Sequence, residues 1–392
     1  MPETNPQIPE QQSSWLAELR MKAGILAGVA ALAGVAATSE SNPAQAASKD
    51  IGVGLVGFSD NDIFTESHDQ AEATAAKIQM MGGNAVRIFY PLNKNTAWEN
   101  YADKTCNAFQ AAYDHGLQPI ITFDGYDENG LGYVPTSNKE VKQFTTTASS
   151  IIWTVASNKG PGRPGGCAPG IKHFIFEGIN EINNPTFNRK LSSQTPLQTI
   201  AMDSKLAKTL KREAARPEIG ATVEFGESLA AANHDVVGFL DDEGQAEKAL
   251  KLKNPYDFID VHPYPKDPTA DPSLTMHDLD GPVKDLIDEY FPGSELDWGE
   301  IGVNTVNPPS SESADYQPPV SINIGVGEAT QAKYITNVLK TAAAEGTPWV
   351  TIFNVQDDGG GSMPSAGMFY KDGKPKSSQP AIRYRIGQNT GR

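Results

Sequence analysis

Two glutamates occupy positions from which a pair of carboxyl groups could do acid–base work. Glu181 closes the run HFIFEGINE, which begins at His173, and Glu300 closes DWGE, which begins at Asp297. Two carboxyl groups brought to one face are what glycosidic cleavage requires: one protonates the leaving oxygen while the other attacks or activates water. Side chains alternate along a strand, so Glu177, Ile179 and Glu181 are expected to share one orientation. Glutamate is also common at strand ends that face solvent, so the pair gains meaning only from the elements that carry it.

Those elements recur with a regular rhythm. Eight β-rich runs are expected: Gly52–Gly57, Ala85–Phe89, Pro119–Phe123, His173–Gly178, Gly220–Glu224, Phe258–Val261, Glu295–Glu300 and Trp349–Asn354. Helical spacing lies between them. Ala71, Ala75, Ile78 and Met81 form one stripe ended by Gly82-Gly83, and Ala102, Cys106, Phe109 and Tyr113 form another ended by Gly116. Thr195-Pro196 reads as an N-cap and first-turn pair opening a helix to about Arg216. Tyr334, Ile335, Val338, Leu339 and Ala342 form a further stripe ended by Gly346. Eight strands alternating with helices predict an α/β fold, a single (β/α)8 barrel. An open doubly wound sheet is the alternative, but no GxGxxG follows the first strand to support a dinucleotide site. In a barrel, the long segments 124–138, 262–281 and 303–327 follow strands three, six and seven, on the face where chemistry is built. The Gly/Pro-rich stretch 158–170 precedes strand four and belongs at the opposite face.

Composition removes several function classes. The chain has 392 residues and a formal charge of −16. Removing residues 1–47, which hold four acids and two bases, leaves −14. Such a field repels a phosphate backbone, so no nucleic-acid partner is expected. Two cysteines exclude a zinc finger or an iron–sulfur cluster. The six histidines (His68, His115, His173, His234, His262, His277) include no HxxxH or HxH pair, so no metal and no cofactor is expected. DENG at Asp127 reads as a solvated turn rather than a calcium loop. There is no GxSxG elbow and no P-loop lysine. Cys106 and Cys167 are able to pair after export, yet Cys106 also lies on an apolar stripe, so a small buried hydrophobe is the other reading.

The apolar run of residues 23–37 is short for a membrane span and suits a signal-peptide core. Arg20 and Lys22 precede it, and Ala44-Gln45-Ala46 matches a small-x-small cleavage site. The acidic first 20 residues are odd for a signal, and Met21 is an alternative start. The rival reading is an uncleaved anchor, which would make a membrane the only other partner.

The motifs now form an ordered set. FEGINEINNP, NAVRIFYP, FIDVHPYP and DWGEIGVNT each sit on their own predicted strand, and the tail SAGMFYKDGKPKSSQPAIRY follows. With them the chain resembles, over about residues 51–386, the clan of retaining (β/α)8-barrel glycoside hydrolases that includes families 5 and 39. The resemblance implies Glu181 as acid/base and Glu300 as nucleophile. It implies Arg87 as the cation beside Glu300, Tyr264 as a donor to it, Asn180 as a contact to the sugar 2-hydroxyl and His262 as a partner of the acid/base. Each has a plainer rival: a structural ion pair for Arg87, packing for Tyr264, a satisfied core histidine for His262. Glu177 reads as a structural carboxylate inside the barrel. Two departures stand out. Strand three ends Phe123-Asp124-Gly125-Tyr126 where many members have histidine, which makes Asp124 or Tyr126 the candidate contact to sugar hydroxyls. Strand eight offers Phe353 where many have tryptophan. The strand-eight Asp357-Asp358 and the tail lean toward family 39-like or other bacterial polysaccharide hydrolases over cellulases. The expected protein is an exported retaining hydrolase of a β-linked polysaccharide, endo-acting, with residues 48–392 as catalytic domain. The rival is a barrel that binds carbohydrate without turning it over. Oligomeric state is left open.

Overall fold

The computed structural model describes residues 55–390, except 61–62, 65, 94–98, 128–133, 158–165, 186, 189, 232–233, 266, 306–325, 358–362 and 364. The leader, the DENG turn beyond Asp127, most of 303–327 and Asp358 lie outside the described residues.

Eight parallel strands close on themselves in sequence order: β1 (Leu55–Asp60), β2 (Ala85–Asn93), β3 (Gln118–Asp127), β4 (His173–Ile179), β5 (Thr222–Ala230), β6 (Phe258–His262), β7 (Glu295–Ile301) and β8 (Trp349–Phe353). The ring is completed where β8 pairs with β1, Leu55 opposite Trp349 and Ser59 opposite Phe353. Helices follow the strands: α1 (His68–Met80), α2 (Glu99–Asp114), α3 (Asn138–Ala156), α4 (Thr195–Ala214), α5 (Val236–Leu250), α6 (Pro272–Tyr290), α7 (Glu328–Glu345) and α8 (Gln379–Thr390). This is the expected (β/α)8 barrel. No helix among the described residues is long and apolar enough to cross a membrane.

Alternation sorts each strand between two environments. Outward residues such as Val56, Val86, Ile121, Phe174, Ile259, Trp298 and Val350 pack under the helices in one apolar layer. Inward residues make a second, smaller cluster: Ala85, Ile120, Ile175, Phe258 and Trp349, with Leu55 against them. That plug fills the N-terminal half of the barrel. Above it the inward positions turn polar, with Ser59, Arg87, Thr122, Glu177, Ser228, Asp260, His262, Asp297 and Thr351 all fully buried. A polar layer inside a barrel costs desolvation unless its members satisfy one another.

Several boundaries moved. The expected strand residues 52–54 lie outside the described residues; β5 runs on to Ala230, which brings Ser228 into the barrel. The cap of α4 is Gln194, not Thr195; Thr195 is already helical, with Pro196 in the first turn, and its hydroxyl accepts from the Ser192 amide at 2.9 Å. Both readings of the cysteines hold at once. Cys106 on α2 is buried, and it is bonded to Cys167 ahead of β4. The bridge spans 61 residues of sequence, so loop-closure entropy gives it about 4 kcal/mol of stability. Thermal melts with and without reductant should differ accordingly; equal melting temperatures would mean that the bridge contributes nothing.

A second buried acidic group lies outside the barrel, between β5 and its helices. Asp203 of α4, Glu227 of β5 and Glu243 of α5 are enclosed, with Tyr256 donating to Asp203 Oδ2 at 3.0 Å. Burial pushes Asp203 and Glu243 well above the usual carboxyl range and Glu227 up to about 7. Glu243 therefore keeps its proton and donates to Glu227. Folded groups that hold protons more tightly than the unfolded chain release them on unfolding. Their contribution is thus complete below the ordinary carboxyl range, near pH 4, and is lost as pH climbs through about 7. Stability should fall from pH 5 to pH 8, and Glu243→Gln, an amide that still donates, should raise the melting temperature at pH 8. The gain is about 1–3 kcal/mol by the scale of one pKa unit. A wild type equally stable at both pH values, with no gain in the variant, would dismiss proton sharing here.

Candidate active site

The polar layer opens at the C-terminal ends of the strands, and Arg87 is its centre. The side chain is completely buried on β2. Its Nε donates to both Glu177 oxygens at 2.9 Å, and Nη2 donates to Glu177 Oε2 at 2.5 Å, to Asn180 Oδ1 at 2.8 Å and to Ser228 Oγ at 3.2 Å. Nη1 donates to Glu300 Oε1. One guanidinium thus spans two carboxylates, which only its planar fork of donors permits. Burial disfavours its charge, but Glu177 and Glu300 outweigh that and hold it protonated. Glu177 is the structural carboxylate the sequence implied, and it takes the larger share of Arg87.

Glu300 is 5% exposed, near the end of β7. Besides Arg87 it accepts from the Tyr264 hydroxyl at 2.5 Å on Oε2. Burial, with the Glu300 charge added, pushes Tyr264 well above its usual range and keeps it a donor. Both oxygens of Glu300 therefore accept hydrogen bonds, one from Arg87 and one from Tyr264.

Glu181 is positioned differently from the period-two expectation. β4 ends at Ile179, and Glu181 takes a left-handed backbone with φ 46°. A non-glycine residue pays about 1–2 kcal/mol for that conformation, a cost that recurs where function fixes geometry. The turn swings the carboxyl across the mouth. Its Oε1 meets His262 Nδ1 at 2.9 Å, and Oε2 accepts from Asn184 Nδ2 at 2.6 Å. Burial pushes Glu181 up, but the hydrogen bond and charge of His262, with Asn184, outweigh it and hold the carboxyl below its usual range. His262 is buried too, which opposes its charge, yet Glu300, Asp260 and Glu181 raise it to about 10. The two groups form one coupled pair that keeps its proton on the ring.

The ligand atoms of Glu181, His262 and Glu300 lie within 4.8 Å of one another. A metal is a poor occupant of that space: Arg87 and Tyr264 already take both Glu300 oxygens, and a cation would face the guanidinium and imidazolium. The spacing matters instead for the two carboxyl groups. An oxygen of one lies no more than 4.8 Å from an oxygen of the other, short of the separation of about 6.5–9.5 Å that leaves room for water between them.

The remaining expected residues fall in place around this pair. Asn180 is buried with Oδ1 accepting from Arg87 and, at 3.3 Å, from Ser228, which leaves its amide nitrogen as the outward donor. Asp124 follows Ile120 and Thr122 as an inward position of β3 and is half-buried at the mouth. Burial raises it to about 7, with Arg87 opposing and Glu300 adding to the shift. Phe353 ends β8 in an apolar wall with Phe89, Met363, Ala366 and Tyr264. The Tyr126 side chain, the other candidate on β3, lies outside the described part of the structure. The sequence reading missed three residues. Ser228, Asp260 and Asn184 each bond to a site residue. Asp260 was findable, since it stands two residues before His262 and shares its orientation.

No family model matches the chain, and no curated protein matches it by sequence. Solved structures do match its fold. An exo-β-1,4-mannosidase from Opitutaceae bacterium strain TAV5 aligns with 86% of this chain and 60% of its own, at TM-score 0.54 and 13% identity. The GH39 enzyme from Xanthomonas axonopodis pv. citri aligns with 85% of this chain and 65% of its own, at 0.55 and 16%. A glycoside hydrolase family 5 mannosidase from Rhizomucor miehei aligns with 88% of this chain and 97% of its own, at 0.55 and 10%. The chain thus spans less than two thirds of the first two of these structures, and what it shares with all three is the (β/α)8 barrel fold.

Proposed function

We propose that the chain is a retaining glycoside hydrolase acting on a β-linked polysaccharide, with Glu300 as nucleophile and Glu181 as acid/base. The observation that carries this reading is the contrast between two neighbouring carboxyl groups. Glu300 is fixed by Arg87 and Tyr264, which take both its oxygens. Glu181 is bound to a titratable ring, so a proton is always one hydrogen bond away. One carboxyl group with both oxygens committed to fixed donors, beside another bound to a titratable ring, suits a division of labour between nucleophile and acid/base.

In the first half-reaction Glu300 attacks the anomeric carbon while Glu181 protonates the leaving oxygen. In the second, Glu181 takes a proton from water, which displaces Glu300. The Asn180 amide would donate to the sugar 2-hydroxyl, Asp124 would bind hydroxyls deeper in the site, and Phe353 would supply an apolar face. No cofactor enters the reaction. Export is supported by the apolar leader and by the Cys106–Cys167 bond, which needs an oxidising compartment. Endo action rests on the length of the segments after β6 and β7, read from sequence alone.

The test is release of reducing ends by the whole chain from β-glucans, mannans, xylans and bacterial exopolysaccharides. Release from one polymer would name the substrate, and a falling viscosity ahead of sugar release would establish internal cleavage. Binding to a polymer without any release would favour a carbohydrate-binding barrel.

A further inference from the structure

Asp260 is buried inside the barrel on β6, and the reaction outlined above does not use it. Its Oδ2 meets His262 Nε2 at 3.2 Å, on the far side of the ring from Glu181. Its Oδ1 has no hydrogen-bond partner. The space it occupies exists because β7 carries glycine at 299: a Cβ there would lie 1.7 Å from Asp260 Oδ2. Gly299 has an ordinary backbone conformation, so the carboxyl, not the turn, requires it. The result is a continuous line from Asp260 through the imidazole to Glu181.

The charges facing Asp260 come from every side. Burial, with the charge of Glu177 on β4 added, raises Asp260 to about 7, while Arg87 on β2 and His262 on β6 itself oppose the rise; Asp297 on β7 is pushed well above its usual range by burial and faces Asp260 as an acid. Glu300 lies beyond the ring, 3.8 Å from His262 Nδ1. Ser228 on β5 also reaches Nε2 at 3.2 Å, but it is neutral and accepts as readily as it donates. Arg87 is already committed to Glu177 and Glu300. An additional buried carboxylate is costly unless a nearby cation needs it, and among the described residues around Asp260 that cation is His262.

We propose that Asp260 is a positioning residue for Glu181: by accepting the Nε2 proton of His262 it fixes the ring and keeps it charged at rest, so that Nδ1 presents a proton to Glu181. The idea rests on the function proposed above and assigns it a third member. Glu181 takes the Nδ1 proton from the ring and gives it to the leaving oxygen, so the O–H bond forms there while the imidazole becomes neutral and Glu181 ends as a carboxylate. When water is deprotonated, its proton passes through Glu181 back to Nδ1 and restores the imidazolium. Asp260 exchanges no proton with substrate in either step. A neighbouring carboxylate favours the charged ring, so its removal should ease proton loss from the His262–Glu181 pair.

The test separates this from the reading it rests on. The whole chain, labelled with 15N-histidine, is titrated by NMR from pH 5 to 10, with His262→Gln identifying the signal. The imidazolium of His262 should persist past pH 8 in the wild type. In Asp260→Asn, which keeps shape and removes charge, it should be lost at least about one pH unit lower. Gly299→Ala, which keeps the charge but removes its room, should act in the same direction and stands in if Asp260→Asn fails to fold. Unchanged titration of His262 in the folded variants overturns the proposal, whether or not any substrate is ever turned over. With an aryl β-glycoside as probe, the alkaline limb of kcat/KM should move to lower pH in Asp260→Asn. A lower rate with an unmoved limb would reduce Asp260 to packing.

Discussion

Glu300→Gln should abolish polysaccharide cleavage, with a loss of about four to six orders of magnitude in kcat, the scale seen when a covalent nucleophile is removed. The amide keeps the volume and leaves Tyr264 a partner, so the fold should survive; a melting temperature close to wild type checks this. What the variant loses is the negative charge that Arg87 holds ready. A stricter version replaces Glu300 by Gly and supplies azide or formate. A small anion can enter the space and attack the anomeric carbon of an activated aryl glycoside, giving a product of inverted configuration. Glu181→Ala with azide should instead give the retained configuration, since attack then falls on the glycosyl-enzyme. The two products, read by NMR, distinguish the roles of the glutamates more sharply than lost activity does. Full activity in Glu300→Gln would end the assignment, and an exchange of the two products would reverse it.

Arg87→Met is expected to be the most destabilising single change in the barrel interior. The arginine is enclosed and donates to Glu177, Glu300, Asn180 and Ser228. Taking away the cation leaves two carboxylates facing each other without water. Breaking a buried pair in this way costs about 3–5 kcal/mol, because the remaining charge is uncompensated. Denaturant unfolding at pH 7 should show that loss. Part of it should return at pH 5, where Glu177 or Glu300 can accept a proton in place of the guanidinium. Arg87→Lys should recover less than its charge suggests, since an ammonium cannot span both carboxylates. A loss below about 1 kcal/mol would mean that the two carboxylates already share a proton.

Much of this arrangement was legible in the chain. The strand rhythm and the helical stripes specify the barrel because burial on alternating faces leaves a period-two trace, and the helix ends at Gly116 and Gly346 carry their own signals. The structure brings Arg87, Asn180, Glu181, His262, Tyr264 and Glu300 together at one end of the barrel, with Glu181 on a turn beyond β4 rather than in the strand. What escaped was polar and non-local. Ser228 lies beyond the apparent end of its strand, because Phe225, Gly226 and Glu227 do not read as a β-rich run. Glu227 and Glu243 look like solvated acids in sequence, and only the fold shows them sharing a closed space. The left-handed backbone of Glu181 has no local cue, since neither glycine nor asparagine marks it; tertiary hydrogen bonds impose it.

The closing seam of the barrel carries a consequence for how the chain is made. β1 finds its last partner only in β8, with Leu55 and Trp349 opposite each other. At translation rates of about 5–20 residues per second, the roughly 300 residues between them take about 15–60 s to emerge. Through that interval one edge of β1 offers unpaired amides and carbonyls to any strand it meets. The growing polypeptide therefore spends its most vulnerable period nearly complete yet unsealed, and holdase chaperones that shield such edges should govern its yield more than any single contact in the finished molecule.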